Sequence, residues 1–290
     1  MKHNRLLSFF VLYIVVISSF AASAGIFSSG GPGRTEHPTV RGSKVILYGD
    51  GLYRHMSADV AIQGIAQDYV TLFAAVPLLI ISFIFARRGS VKGTLSLMGL
   101  MLYFFLTYLF YTAMAMYNKM FLAYVTLITA SLFSLILLLV SFDYTNFSAK
   151  IKSEKIYRAG GIFLIVNASL IMLLWLSIVV PPLLDGTVIP AAAEHYTTLV
   201  VQGFDLGIFL PLAFASGYLA LRRSNFGYVF VNVYMIFLSV LMSALVSKIA
   251  FMAMAGANVF PVIFIMPVIA ISAGVFSLFL LKNVLTGSKM

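Results

Sequence analysis

The chain contains no cysteine, which excludes disulfides, thiol redox chemistry and metals held by thiolates. It is also poor in charge. Only 10% of its 290 residues are Asp, Glu, Lys or Arg, against about 25% in a soluble domain. That leaves too little polar surface to coat a globule in water. No histidine lies inside an apolar run, so a haem held between two buried imidazoles is not expected. Neither a P-loop pattern nor a HExxH pair occurs, so an energised transporter would need an ion gradient or a separate ATPase subunit. Retinal normally attaches to a lysine in the last of seven helices, and the one lysine inside a run, Lys248, lies in the penultimate span. No cofactor is expected.

What is abundant is apolar. Hydrophobic residues make up 61% of the chain, and eight runs reach the roughly 20 residues that carry a helix across a bilayer. They cover about 6–24, 69–86, 94–116, 121–142, 159–180, 199–221, 229–255 and 261–281. Lipid offers the backbone no hydrogen-bond partner, so such runs must be helices. The expected fold is all-α, a polytopic transmembrane helical bundle forming one membrane domain over 1–290. The first run is ambiguous. Met1–Arg5, Leu6–Phe20 and Ala22-Ser23-Ala24 also fit the three parts of a signal peptide, whose cleavage would leave seven helices.

Charge sorts the connecting segments into two sets. MKHNR, RRGSVK, the segment Asp143–Arg158, RRS and KNVLTGSK hold 13 of the 19 Lys and Arg, with only Asp143 and Glu154 as acids. The other set holds five cations and six acids. Positive residues in short loops stay cytoplasmic, so both termini are expected inside. The net charge of +10 is then a topology signal, and nucleic acid is not an expected partner.

Sliding the chain against itself by 135 residues places Asp50-Gly51 on Asp185-Gly186, Ala58 on Ala193, Gln67 on Gln202 and Arg87-Arg88 on Arg222-Arg223. AMAMYN (113–118) and AMAGAN (253–258) occupy matching turns. This predicts a parallel 4+4 internal repeat, with repeat A over 1–142 and repeat B over 159–281, an arrangement known among transporters. The outer loops are expected at 25–68 and 181–198, and the inner loop at 143–158. In the first outer loop SSGGPG reads as flexible and KVILYGDGLYRH as a short hairpin around its glycines. In the second, Pro190 is placed to start a helix. Asp59 and Glu194 are expected near equivalent helix starts, where the helix dipole favours acids.

The run GLYRHMSADVAIQGIAQDYVTLFAAVPLLIISFIFARRGSVKG, with YTAMAMYNKMFLAYV after it, resembles a group of uncharacterised bacterial multi-pass membrane proteins. VVQGFDLGIFLPLAFASGYLALRRS resembles that group's second signature. The resemblance covers roughly residues 50–280. It implies a membrane location and no established activity.

Two charges fall inside apolar runs, Asp205 and Lys248. Each lies a turn or two below the outer end of its helix, roughly 10 Å deep at 1.5 Å per residue. The helices are antiparallel neighbours, so the two charges are expected to meet. Pairing removes much of the few kcal/mol that a lone intramembrane charge costs. Asp68 reads as interfacial. Tyr103, Thr107 and Tyr111 share one helical face, with Tyr108 and Thr112 beside them, and Gln67 and Gln202 are pseudo-equivalent. The candidate ligand-binding set is therefore Asp205, Lys248, Gln202, Gln67, Tyr108, Tyr111 and Thr112. The competing expectation is ordinary hydrogen bonding between helices by Tyr and Thr. His55, Asp59, Glu194 and His195 form a weaker candidate metal set, without diagnostic spacing.

Two functions fit this sequence. One is a transporter-like protein, or a transporter's membrane subunit, with a polar site for a small molecule or ion near the outer side. The other is a membrane-embedded enzyme or an assembly or sensing protein that acts through its outer loops. Lipid is the assured partner, and a partner subunit is open in either.

Overall fold

The computed structural model of the protein describes residues 5–145 and 147–285; Lys2 and Lys289 of the basic set lie outside them. Among the described residues, eight helices are long and apolar enough to cross a membrane. They are α1 (Arg5–Phe27), α2 (Ala58–Arg87), α3 (Val91–Met114), α4 (Phe121–Ser141), α5 (Glu154–Leu184), α6 (Val200–Leu221), α7 (Asn225–Met254) and α8 (Val262–Asn283). The bundle is an integral membrane fold. Strands β1 (Thr35–Pro38) and β2 (Lys44–Leu47) form an antiparallel hairpin with Thr35 opposite Leu47. The face that carries it is called the hairpin face below.

The opposite, terminal face is fixed by contacts between distant segments. The Arg87 guanidinium at the end of α2 donates to Ser8 Oγ at the start of α1 (3.1 Å). Past α8, Leu285 N–H donates to Lys150 O (2.8 Å), and Lys152 N–H donates to Asn283 O (2.9 Å). The segment joining the two halves is thereby tied to the end of the last helix.

Two helices form the centre. In α3 and α7, 78% and 67% of the most apolar window is buried, against 33% or less in the other six. Polar residues can sit in these two without facing lipid. The pair approaches closely at Gly99, where a side chain would meet Ile236 and the Val233 carbonyl at 2.8 Å. α5 and α6 meet in the same way, with a Cβ on Gly217 falling 2.6 Å from Gly161 O. Small residues at the crossings let backbones pack where no hydrophobic effect drives helices together.

α2 and α6 share an irregularity. Each contains one π turn, Thr71–Ala75 in α2 and Asp205–Phe209 in α6. Each π turn precedes a proline, Pro77 and Pro211. Proline lacks the N–H that an α-helix needs, and its ring crowds the carbonyl four residues back. Widening the helix by one residue relieves both, so Val76 N–H bonds Thr71 O and Leu210 N–H bonds Asp205 O. Each helix runs into an Arg-Arg pair and leaves it through a left-handed residue, Gly89 (φ 83) after the first pair and Arg223 (φ 56), itself the second arginine, in the other. Then a serine caps the next helix: Ser90 accepts from Gly93 N–H at 3.2 Å, and Ser224 from Gly227 N–H at 2.9 Å.

Several expectations need correction. α2 begins at Ala58, not near 69, because Ala58, Ala61, Gly64 and Ala66 give its first three turns a small-residue face that packs inward. Asp68 is therefore inside the helix, not interfacial. The hairpin pairs KVIL with the preceding TEHP. The chain also folds back around the Gly-Asp-Gly as expected, with an antiparallel bridge between Leu47 and Ser57 and bonds from Tyr48 N–H to Met56 O (2.9 Å) and from Gly49 N–H to Arg54 O (3.0 Å). The turn between TEHP and KVIL is closed by Thr39 N–H to Ser43 O (2.8 Å) around left-handed Gly42. The later glycines bend the chain back onto SSGGPG, where Gly33 N–H donates to Gly49 O (3.1 Å) and Gly30 N–H to Asp50 Oδ1 (2.6 Å). SSGGPG is pinned accordingly. Finally, Asp59 lies in the first turn of α2, but Glu194 closes a short 3-10 turn after Pro190 and heads no helix.

Candidate functional site

Two polar centres lie within the bundle, each built around an aspartate. The first is sealed. Asp68 is 1% exposed. Its Oδ2 accepts from the Tyr53 hydroxyl at 2.6 Å, and its Oδ1 lies 2.9 Å from the Tyr111 hydroxyl, which also reaches Gly64 O at 2.8 Å. α1 closes the remaining side at Gly25, where a Cβ would stand 1.8 Å from the carboxylate. Burial, and then the Asp68 charge, hold the Tyr53 phenol well above the ordinary tyrosine range. Tyr53 thus remains a proton donor to Asp68.

One turn away, Gln67 Nε2 donates to Tyr103 Oη (2.8 Å) and Thr107 Oγ1 (3.2 Å), and Thr71 Oγ1 shares a 2.9 Å bond with Tyr103. Tyr108 packs edge-on against Tyr111 and stacks on Tyr124. Thr112 returns its hydroxyl to Tyr108 O within its own helix (2.8 Å). The polar face of α3 is thus taken up by contacts with α2 and α4. Gln67, Tyr108, Tyr111 and Thr112, expected at a ligand site, line no common cavity with Asp205. Interhelical hydrogen bonding accounts for Gln67 and Tyr111, a bond within α3 for Thr112, and aromatic packing for Tyr108.

The second centre is open. Asp205 follows the start of α6 by five residues and Lys248 precedes the end of α7 by six, so both lie roughly 8–9 Å below the hairpin-face ends of their helices. Both are partly exposed and both line a cavity of about 310 Å³ between α5, α6, α7 and α8. Gln202 lines it too. Asp205, Lys248 and Gln202 are therefore brought together.

The expected Asp205–Lys248 ion pair is not formed. Among the described residues, no ion pair within 4.0 Å joins them. Asp205 Oδ2 instead accepts from Trp175 Nε1 of α5 at 2.9 Å. The π turn begins at Asp205 itself, which places its side chain differently from a regular helix. Lys248 lies within electrostatic range of Asp205 and, more weakly, of Asp68. Among the described residues, it is the one cation that acts on both aspartates.

Sequence reasoning missed four lining residues that carry polar groups: Trp175, Tyr234, Asn167 and Gln63. Trp175 carried a signal as the only tryptophan, and Asn167 as an amide inside an apolar run. Gln63 was hidden by the late start assigned to α2. An open groove on the terminal face is larger, about 640 Å³, but Arg223 and Glu154 on its wall already pair at 3.5 Å.

The candidate metal set does not assemble. His195 Nε2 lies 3.1 Å from the His55 carbonyl rather than its ring, and among the described residues no three His, Asp or Glu side chains converge. His55 and His195 instead belong to a junction between the two hairpin-face loops. Tyr196 Oη accepts from Ser57 N–H at 3.3 Å, and the Arg41 guanidinium donates to Ile189 O.

Compared with known proteins, the chain matches no family model, no curated protein and no solved structure, so any functional reading rests on its own geometry.

Proposed function

We propose that the protein is transporter-like, or the membrane subunit of a transporter, and admits a small molecule from the hairpin face into the cavity beside Asp205 and Lys248. One observation carries this reading: two opposite charges line one largely apolar cavity without pairing. A purely structural pair would close, because each charge left alone in a span costs a few kcal/mol. Intramembrane charges that are not neutralised by each other commonly mark substrate or ion pathways. The π turn at Asp205 adds support, since such turns are frequent at functional sites.

Orientation and symmetry belong to the same proposal. The basic excess of the terminal face supports a cytoplasmic position for it, in the plasma membrane of a bacterium. The parallel repeat draws support from the matching π turns, prolines, Arg-Arg ends and serine caps of α2–α3 and α6–α7. The interlocked loops favour the second reading, an enzyme or assembly protein acting at the hairpin face. If removing Ser28–Arg41 left a folded protein that failed to complement a deletion strain, that reading would gain.

The cysteine-free chain permits a direct test. Single cysteines are placed at Asp205 and Gln202, with controls at Val40 on the hairpin face and Lys155 on the terminal face. Whole cells then receive a membrane-impermeant maleimide. Labelling at 205 and 202 comparable to Val40→Cys, with Lys155→Cys silent, is the expected result. Labelling confined to Val40→Cys would make the cavity dry and sink the proposal.

A further inference from the structure

The separation of the two charges points to the kind of molecule the cavity takes. We infer that its ligand is a small apolar zwitterion, such as a free amino acid, whose ammonium sits at Asp205 and whose carboxylate sits at Lys248. This rests on reading the cavity as a binding site.

Trp175 occupies one oxygen of Asp205 and leaves the other available. Lys248 Nζ has three donors and, among the described residues, no hydrogen-bond or ion-pair partner. Burying a charge is tolerated when it is paired and hydrogen-bonded. A molecule carrying both signs on one body supplies a partner to each. Ligands of one sign do not. A phosphate or monocarboxylate meets Lys248 but is repelled by Asp205, and a metal ion or monoamine has the reverse problem. A neutral molecule leaves both charges unmatched.

Size and wall chemistry limit the rest of the ligand. About 310 Å³ is far more than one water or bare ion occupies, at roughly 30 Å³ of liquid volume per water. It stands at the low end of the roughly 300–1,000 Å³ typical of small-molecule pockets. Away from the charges the wall is largely apolar, with Ile171, Leu238, Leu241 and Met266 among its residues and Asn167 and Gln63 as its polar exceptions. An apolar side chain on the zwitterion fits such a wall. A polar one would lose its hydrogen bonds to water there.

The protein carries its own reporter. Trp175 is the only tryptophan and donates directly to Asp205, so its fluorescence reads the site without labelling. The purified full-length protein would be titrated with L-leucine, L-methionine and L-phenylalanine. The same titration would use the methyl ester of each, which keeps only the ammonium, and the N-acetyl derivative, which keeps only the carboxylate. The expected result is a saturable change in Trp175 emission with at least one free amino acid, and at least tenfold weaker binding of both its derivatives. Lys248→Met should weaken the free amino acid to the level of its ester. Because the ligand series is measured on the unaltered chain, a variant that fails to fold does not spoil the test.

Equal affinity for an ester or an N-acetyl derivative would overturn the zwitterion while leaving the cavity a binding site. No response to any of the three amino acids, in a protein whose position 205 is labelled from outside, would do the same. Failure of the labelling itself would instead remove the reading beneath both.

Discussion

Asp68 and Asp205 are alike in chemistry and unlike in fate. Both lie in helices that enter from the hairpin face, turn through a π turn, pass a proline and end in Arg-Arg. Asp68 is closed in by two tyrosine hydroxyls and a glycine of α1. Asp205 has one indole N–H and a cavity. The comparison teaches that an acid within a span does not by itself mark a site. The mark is what its neighbours leave unsatisfied. Around Asp68 they leave nothing, and the carboxylate acts as a staple for α1, α2, α3 and the first loop.

The strongest way to break this contrast is to force the sealed centre open. Gly25→Leu places a side chain where the Asp68 carboxylate already stands, and overpacking with no room to relax costs upward of about 1–3 kcal/mol. Loss of a monodisperse peak on size exclusion is the expected outcome. Asp68→Ala is milder. It strands the Tyr53 hydroxyl in a dry site, at about 1–3 kcal/mol for a buried group left unpaired, while the Tyr111 hydroxyl keeps Gly64 O. Melting in detergent should drop by several degrees. Asp205→Ala, beside a cavity that water or a ligand can fill, should shift melting by less than half as much. Equal losses at the two positions would mean that both aspartates are structural, and the contrast would fail.

A second variant tests what the π turn contributes. Pro211→Ala restores an N–H to the ladder of α6, and the helix can then resume α geometry. Removing the extra residue of a π turn rotates the preceding segment by about 100° at 3.6 residues per turn. That rotation carries Asp205 off the cavity. Maleimide reactivity of Asp205→Cys should fall several-fold in the Pro211→Ala background, with little change at Val40→Cys. Unchanged reactivity would assign the placement of Asp205 to packing rather than to the proline.

Much of this architecture was legible in the sequence, for physical reasons that also explain the gaps. Apolar length declares a spanning helix wherever lipid surrounds it, so seven of the eight starts fall within a few residues of expectation. α2 is the exception. Its first turns, ADVAIQGIAQD, contact protein rather than lipid, so Gln and Asp there carry no penalty that hydropathy registers. The same blindness affected the polar residues of α3. Their helical spacing placed Tyr103, Thr107 and Tyr111 on one face, yet spacing does not say whether that face meets a cavity or the amides of Gln67. Asp205 and Lys248 were legible because lipid makes any charge in a span conspicuous. Their separation was not, because it depends on Trp175 from a third helix.

The smallest expected effect concerns the tyrosine that stands before each of the two helices. Tyr53 precedes α2 and turns its hydroxyl inward to Asp68, whereas Tyr196 precedes α6 and turns its hydroxyl across to Ser57 N–H of the other loop. The second arrangement holds the loops together without capping Asp205. Tyr196→Phe should cost only about 0.5–1.5 kcal/mol, the net worth of one such hydrogen bond, and should leave labelling at position 205 unchanged. The alkaline response separates this contact from others. Burial pushes the Tyr196 phenol up to about 12, against an ordinary value near 10. A group raised in the folded state contributes its stabilisation fully below its unfolded value and loses it as pH climbs toward the folded one. The difference in melting temperature between the parent and Tyr196→Phe should therefore stay constant up to pH 10 and shrink between 10 and 12. A difference that persists unchanged to pH 12 would place Tyr196 outside the buried junction. The inward-facing Tyr53 would then have no open counterpart over α6.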